Sequence, residues 1–254
     1  MGQVESSGLR DVLRSTALSL LGRLAREPDR PFLRAIYFHS VYDQDRANFE
    51  RIITGLSRLG SFIDTESLVS ILEGHTVLDG ARFHLSFDDG YRNLYRNALT
   101  VLKGWKIPAL IFVVTGMVGK DPLEGPDQRL MSWEELRVIQ AWGFEVGSHT
   151  KTHPKLAEVA TPYDLVSELR DSKHEIEERL GTECRYIAWP MGRSSDVDGR
   201  FFDAVEAAGY RACFGGFRGS VAPGKTDRFR IPRHHLEASW PLSHVRYFAT
   251  GHGE

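Results

Sequence analysis

Short apolar runs alternate with longer amphipathic stretches along this chain, and this alternation constrains the fold more than any other feature. The runs at 83–87, 108–114 and 144–147 have the length of buried strands. Between and around them, apolar residues recur at helical spacing, as in 47–59 and 161–180. Alternation of strands and helices is typical of a parallel sheet covered by helices. The sequence therefore predicts an α/β fold.

Length and charge agree with a single enzyme-sized domain. The chain has 254 residues, which is within the range of single α/β barrels. Its 32 basic and 34 acidic residues nearly cancel, and no basic run with interleaved aromatic residues is present, so nothing favours nucleic acid as a partner. Cys184 and Cys213 lack the spacing of a zinc knuckle or a disulfide framework.

Two pairs of polar residues follow two of the predicted strands. Asp88 and Asp89 come directly after the run 83–87, and His149 and His153 come shortly after 144–147. Either pair alone is also typical of a turn or of solvated loop side chains. Because catalytic residues of α/β barrels collect at the carboxyl ends of the strands, the two pairs together indicate one site. A carboxylate and two imidazoles are the ligands of a catalytic zinc-type centre, and the second carboxylate suits a general base.

Three segments resemble the motifs of a known family. Residues 86–90 (SFDDG) resemble the first motif of polysaccharide deacetylases with the NodB homology domain, carbohydrate esterase family 4. Residues 147–153 (GSHTKTH) resemble the second motif, and 189–192 (WPMG) resemble the third. The resemblance extends over most of the chain, from about residue 35 to about residue 236.

The resemblance implies a fold and a set of roles. It implies a single-domain, distorted (β/α)7 barrel of the NodB-homology type. Asp88 would be the catalytic base, and Asp89, His149 and His153 would bind a divalent metal, with Zn²⁺ expected first and Co²⁺, Ni²⁺ or Fe²⁺ as alternatives. The backbone N–H of Met191 would match the donor that stabilises the oxyanion together with the metal.

The general acid is expected to be a histidine, and several are candidates. The resemblance is closest to the circularly permuted poly-N-acetylglucosamine deacetylase type, which opens with a Tyr-His-x-Val strand whose His is the acid. Residues 36–41 (IYFHSV) resemble that opening with one residue inserted. His39 is therefore the predicted acid, with His234, His235 and His244 as alternatives.

One residue of the third motif is missing. Family members often have an arginine there that pairs with the catalytic base, but this chain has Ala188. The segment 229–232 (FRIP) resembles an Arg-Ile-Pro segment of the permuted type. Arg230 is therefore predicted to pair with Asp88 and keep it ionised, and the competing interpretation is an ordinary surface arginine.

The amino-terminal part is predicted to form an amphipathic helix that precedes the barrel. Residues 8–27 have helical amphipathic periodicity, and the eight uncharged residues between Arg14 and Arg23 are too few to span a membrane. This helix either packs on the barrel or rests on a membrane surface. We divide the chain into a helix and linker at 1–31 and a deacetylase domain at 32–254. No convincing export signal is present, so we expect a cytoplasmic protein, with peripheral contact at the inner membrane or secretion as alternatives.

These observations favour one function and leave two alternatives. The resemblance implies a metal-dependent hydrolase that removes an N-acetyl group from an amino sugar or glycan. A deformylase or another amide hydrolase of the same fold is the first alternative. A catalytically weak carbohydrate-binding module is the second, but such a module has no need of Asp88, Asp89, His149 and His153 together.

Overall fold

The structure is a computed structural model that describes residues 18, 20–22, 30–120 and 129–252. Of the predicted amino-terminal helix at 8–27, residues 18 and 20–22 are helical, and the rest lies outside the described residues. Leu18 packs against the main hydrophobic core. Among the helices of the described ranges, none has the length and apolar character needed to cross a membrane.

A parallel sheet forms the centre of the molecule. Seven strands are hydrogen-bonded in the order β7-β6-β5-β4-β3-β1-β8, and β2 pairs with β3 outside this path. All of these pairings are parallel, so the α/β prediction is confirmed. The strands are β1 (Phe32–Phe38), β2 (Ser61–Ile63), β3 (Ala81–Phe87), β4 (Leu110–Val113), β5 (Glu145–Ser148), β6 (Tyr186–Ala188), β7 (Ala212–Phe214) and β8 (His234–His235).

The sheet curls into the predicted distorted barrel. After β7 the chain returns along that strand, where Ile231 N–H donates to the Cys213 carbonyl (3.0 Å) and Gly215 N–H donates to the Ile231 carbonyl (2.9 Å). It then pairs with β1 through β8, with His234 opposite Ile36. The segment 231–235 therefore joins the two edges of the curled sheet.

Helices cover the outside of the barrel, and their ends follow ordinary capping rules. The Ser132 side chain accepts from the Glu135 N–H while the Glu135 side chain accepts from the Ser132 N–H, which is the predicted capping box. The helices are α1 (Arg46–Ser57), α2 (Thr65–Leu72), α3 (residues 92–105, with a π-helical turn at Tyr95–Leu99), α4 (Trp133–Ala141), α5 (Pro162–Leu180), α6 (Gly199–Ala207) and α7 (Leu242–Ala249).

The two faces of β3 separate the core into two layers. Phe83, Leu85 and Phe87 pack outward against the helices. The interior of the barrel is filled by a second cluster, to which α2 contributes at the amino-terminal ends of the strands. The loops that carry Asp88, Asp89, His149 and His153 lie at the opposite end, after the carboxyl ends of β3 and β5.

Candidate metal centre and active site

The turn after β3 directs two neighbouring carboxylates to different partners. The Asp88 N–H donates to the Phe38 carbonyl of β1 (3.0 Å), which ties the end of β3 to its neighbour. Asp89 then adopts φ 66° and Gly90 adopts φ 78°. A positive φ is uncommon outside glycine, but Asp and Asn adopt it more readily than most residues. This turn places Asp88 towards the barrel interior and Asp89 towards the loop after β5.

The loop after β5 holds the two histidines in fixed orientations. His149 Nδ1 donates to the Ala188 carbonyl (2.8 Å), which leaves its Nε2 as the atom available to bind a metal. The Thr150 hydroxyl accepts from the His153 N–H (3.1 Å), and both residues adopt positive φ. Glu168 of α5 accepts two further backbone N–H groups of this loop, at 3.0 and 2.8 Å. Hydrogen bonds to Ala188 of β6 and to Glu168 of α5 therefore hold the loop in place.

The three predicted metal ligands come together. Asp89 Oδ1 lies 3.6 Å from His149 Nε2 and 3.5 Å from His153 Nε2, and one ligand atom of each residue lies within 4.8 Å of the others. Ligand atoms about 2.0 Å from a tetrahedral ion lie about 3.3 Å apart, so the cluster fits one ion of the size of Zn²⁺. Burial, followed by the charge of His149, lowers the pKa of His153, which favours the neutral form that binds metal. Metal binding itself stays a prediction.

Asp88 is paired with a buried arginine. Arg233 donates from Nη1 to Oδ1 (2.7 Å) and from Nη2 to Oδ2 (2.8 Å), and its side chain is fully buried. The same guanidinium donates to Ser86 Oγ (3.1 Å) and to the Gly215 carbonyl (2.8 Å). Burial by itself would raise the pKa of Asp88, but Arg233, with smaller contributions from His149 and His39, lowers it to about 2. Asp88 is therefore ionised at neutral pH.

The prediction that Arg230 pairs with Asp88 is wrong. Arg230 lies 3.8 Å from Asp227 and stacks over the Phe202 ring, with a side chain that is more than half exposed. Arg233 makes the pair with Asp88 because alternate residues of an extended chain face the same side. Ile231 faces the barrel interior, so position 233 faces it too. Counting by twos along this segment is the signal that could have identified Arg233.

Two of the candidate histidines lie side by side. His39 Nδ1 is 3.1 Å from His235 Nε2, and both rings line a pocket of about 280 Å³. His234 lies on the other side of β8, where its Nε2 is 3.1 Å from Arg34 Nη1. His244 belongs to α7. The structure thus brings together His39 and His235 and separates both from the other two alternatives.

The third motif forms a tight turn after β6. The Trp189 side chain is buried, and its backbone N–H donates to the Phe214 carbonyl (3.1 Å). Met191 adopts φ 63° and Gly192 adopts φ 77°. A Cβ at Gly192 would lie 2.5 Å from the backbone of Gly216, so only glycine fits there. The Met191 side chain is exposed, and the role of its N–H at the oxyanion stays a prediction.

Comparison with known proteins identifies the family. Residues 78–213, more than half of the chain, match the model of a family described as Polysaccharide deacetylase. The chain belongs to this family. The prediction of a deacetylase of the NodB-homology type is therefore confirmed, and the predicted enzyme class, a carbohydrate deacetylase, is confirmed at the level of the family.

Individual relatives of this polysaccharide deacetylase agree with the assignment. A poly-beta-1,6-N-acetyl-D-glucosamine N-deacetylase of Staphylococcus aureus is 27% identical over 157 residues, which cover 59% of this chain and 52% of the relative. The chain thus spans about half the length of the curated relatives it matches. The structure of IcaB from Ammonifex degensii is 25% identical with a TM-score of 0.75, covering 87% of this chain and 98% of that one. The Streptococcus pyogenes deacetylase PplD, 18% identical with a TM-score of 0.71 over 87% and 99%, shares the fold.

The segment matched by the family model contains only part of the polysaccharide deacetylase site. It includes the three predicted metal ligands, Asp88 and Met191. His39, on the amino-terminal side, and Arg233 and His235, on the carboxyl-terminal side, lie outside it. Because β1 pairs with both β3 and β8, the fold places these three residues next to the segment that the family model matches.

Proposed function

We propose that this protein is a metal-dependent N-deacetylase that hydrolyses the N-acetyl groups of an amino sugar or glycan. The proposal rests on one observation: the two neighbouring carboxylates have different partners and can therefore perform different tasks. Asp88 is held ionised by Arg233, and Asp89 meets His149 and His153 at metal-binding distances. This combination is what deprotonation of a water beside a metal ion requires.

The ligand cluster suits a divalent transition metal. One carboxylate oxygen and two imidazole nitrogens favour Zn²⁺, with Co²⁺, Ni²⁺ and Fe²⁺ as alternatives. When bound, such an ion supplies Lewis acidity for the acetyl carbonyl and for the attacking water. Asp89, His149 and His153 would hold it, and the hydrogen bond from His149 Nδ1 to Ala188 keeps that ring in the correct tautomer.

The proton transfers are assigned to residues on two neighbouring strands. Asp88 accepts a proton from the attacking water, and its pKa of about 2 keeps it unprotonated beforehand. The Met191 N–H donates to the oxygen that becomes negative during the attack. His39 donates a proton to the leaving nitrogen, because an amine is a poor leaving group until it is protonated.

The substrate class is proposed from the relatives. The Staphylococcus aureus relative is named a poly-beta-1,6-N-acetyl-D-glucosamine N-deacetylase. This name supports an N-acetylglucosamine polymer, or a shorter oligomer of the same sugar, as the substrate of this chain. The amide bond that would be cleaved is common to all of these compounds, so the site chemistry is the same for each.

The test is acetate release measured together with metal content. Purified protein, loaded with Zn²⁺, is incubated with β-1,6-linked and β-1,4-linked N-acetylglucosamine oligomers, the free sugar, and an N-formyl analogue. We expect one metal per chain and acetate from at least one oligomer, and acetate release by Asp88→Asn that is slower by at least about 100-fold at equal metal content. Formate release from the analogue without acetate from any acetylated sugar would instead support the deformylase alternative. A fully loaded protein that releases neither product would contradict the proposal.

A further inference from the structure

This inference deepens the proposed function and rests on it. It concerns the contact between His39 and His235. At 3.1 Å, His39 Nδ1 and His235 Nε2 are at hydrogen-bond distance, so one nitrogen must carry a proton and the other must accept it. The direction of this hydrogen bond decides which nitrogen of His39 is left for the substrate.

The surroundings of His235 make it the acceptor. Burial, followed by the positive charge of His39, lowers the pKa of His235 to about 4. Arg233 and Arg218 act in the same direction, and Asp88 acts against them. His235 is therefore neutral when His39 is charged. A charged His39 carries protons on both ring nitrogens, so its Nδ1 donates and His235 Nε2 accepts.

The two strands that carry the rings fix this contact. His235 lies opposite Tyr37 in the pairing of β8 with β1, and the Leu236 N–H donates to the Tyr37 carbonyl (2.9 Å). The Tyr37 ring packs against both imidazoles, with centroid separations of 5.4 Å to His39 and 5.2 Å to His235. The Trp240 ring also packs near His235, with a centroid separation of 6.3 Å. Neither imidazole can rotate without disturbing this packing.

We propose that His235 is a positioning residue for the deacetylation reaction. Its Nε2 accepts a hydrogen bond from His39 Nδ1, and this leaves the Nε2 proton of His39 as the one donated to the leaving nitrogen. His235 itself does not exchange a proton with the substrate.

The first test reads the tautomer directly in the metal-loaded protein. Long-range ¹H–¹⁵N spectra of histidine-labelled protein distinguish protons on Nδ1 from protons on Nε2. We expect neutral His39 to carry its proton on Nδ1 and neutral His235 to carry its proton on Nδ1 as well. A wild-type spectrum with the His39 proton on Nε2 would overturn the inference, and this reading requires no variant to fold.

The second test compares two substitutions that differ in whether they can accept a hydrogen bond. His235→Leu removes the acceptor, whereas the amide oxygen of His235→Gln can replace it. Losing a hydrogen bond to a charged group should move the basic limb of the kcat profile to lower pH by about one to two units. We expect His235→Leu to lose about tenfold or more in kcat near neutral pH at unchanged KM and metal content, and His235→Gln to recover most of it.

Matched controls separate this inference from the function on which it rests. His234→Gln changes the adjacent buried histidine, whose ring contacts Arg34 instead, and should leave the pH profile unchanged. His39→Ala should lose kcat on the amide and much less on an activated ester. If His39→Ala keeps its activity, the proposed acid is wrong. If His39→Ala loses activity while His235→Leu keeps the wild-type profile, the inference about His235 is wrong and the proposed function stands.

Discussion

Replacing Arg233 with methionine tests the ion pair that keeps Asp88, the proposed catalytic base, ionised. Arg233 is fully buried and forms both hydrogen bonds to Asp88, at 2.7 and 2.8 Å. Its guanidinium also lies 4.3 Å from the centre of the Tyr37 ring. Methionine has a similar reach without charge, so Arg233→Met leaves Asp88 buried with no cation against it.

The expected loss of stability follows from the burial of Asp88. Only 3% of the Asp88 surface is exposed, so water cannot take the place of the guanidinium. Removing one partner of a buried ion pair costs about 3–5 kcal/mol, because the remaining charge is uncompensated. The pKa of Asp88 is lowered from 3.8 to about 2 even though burial raises it, so the effect of Arg233 on this carboxylate exceeds the net shift.

The pH dependence has a definite sign. In the wild type, the lowered pKa of Asp88 contributes stability above the unfolded value of about 3.9, and this contribution is lost as pH falls through about 2. In Arg233→Met, burial is no longer opposed by Arg233, so the pKa rises and the charged carboxylate destabilises the fold at neutral pH. The stability deficit of the variant should therefore shrink as the pH falls from 7 towards 4.

Urea unfolding at several pH values, with a chelator present so that metal release does not contribute, measures this deficit. Arg230→Met is the matched control and should cost less than about 1 kcal/mol, because Arg230 makes an exposed ion pair. Adding Asp88→Asn to Arg233→Met should restore about 2 kcal/mol by removing the unpaired charge. The reasoning is refuted if Arg233→Met costs under about 1 kcal/mol, or if the double variant is no more stable than Arg233→Met alone.

Three further predictions concern the same centre. Asp88→Asn should retain metal and lose about 10²–10⁴-fold in kcat, and near-normal turnover would mean that the base lies elsewhere. His153→Ala should lose the bound metal in elemental analysis after dialysis, since two ligands remain, and an unchanged metal content would end the assignment. Gly192→Ala should lower the free energy of unfolding by about 1–3 kcal/mol, because its Cβ would lie 2.5 Å from Gly216; a wild-type melting temperature would contradict this.

The elements that carry the proposed metal ligands could be predicted because their signals are local. The apolar run at 83–87 lies within β3, and the run at 144–147 overlaps β5. The capping box at the start of α4 depends on two residues three positions apart. In each case the pattern lies within a short window of sequence, although the strands themselves pair with residues much further along the chain.

The rest of the site depends on contacts between distant parts of the chain. Arg233 is separated from Asp88 by 145 positions. The alternation that places Arg233 on the inner face applies only if the segment 231–235 is extended, and the sequence of that short segment alone does not indicate this. The strand β8 has two residues and forms only because β1 is available to pair with it. The direction in which Arg230 and Arg233 point follows from that pairing, so resemblance alone selected the wrong arginine.

The pairing of β1 with β3 limits which insertions and deletions the chain can accept next to the site. Phe38 lies opposite Phe87 in this parallel pair, and the residues that follow them are His39 and Asp88. Neighbouring strands lie about 4.8 Å apart, so the proposed proton donor and acceptor are separated by a distance that the backbone fixes. Deleting one residue within β1 would turn His39 outward and bring Phe38 into the barrel, because side chains alternate between the two faces.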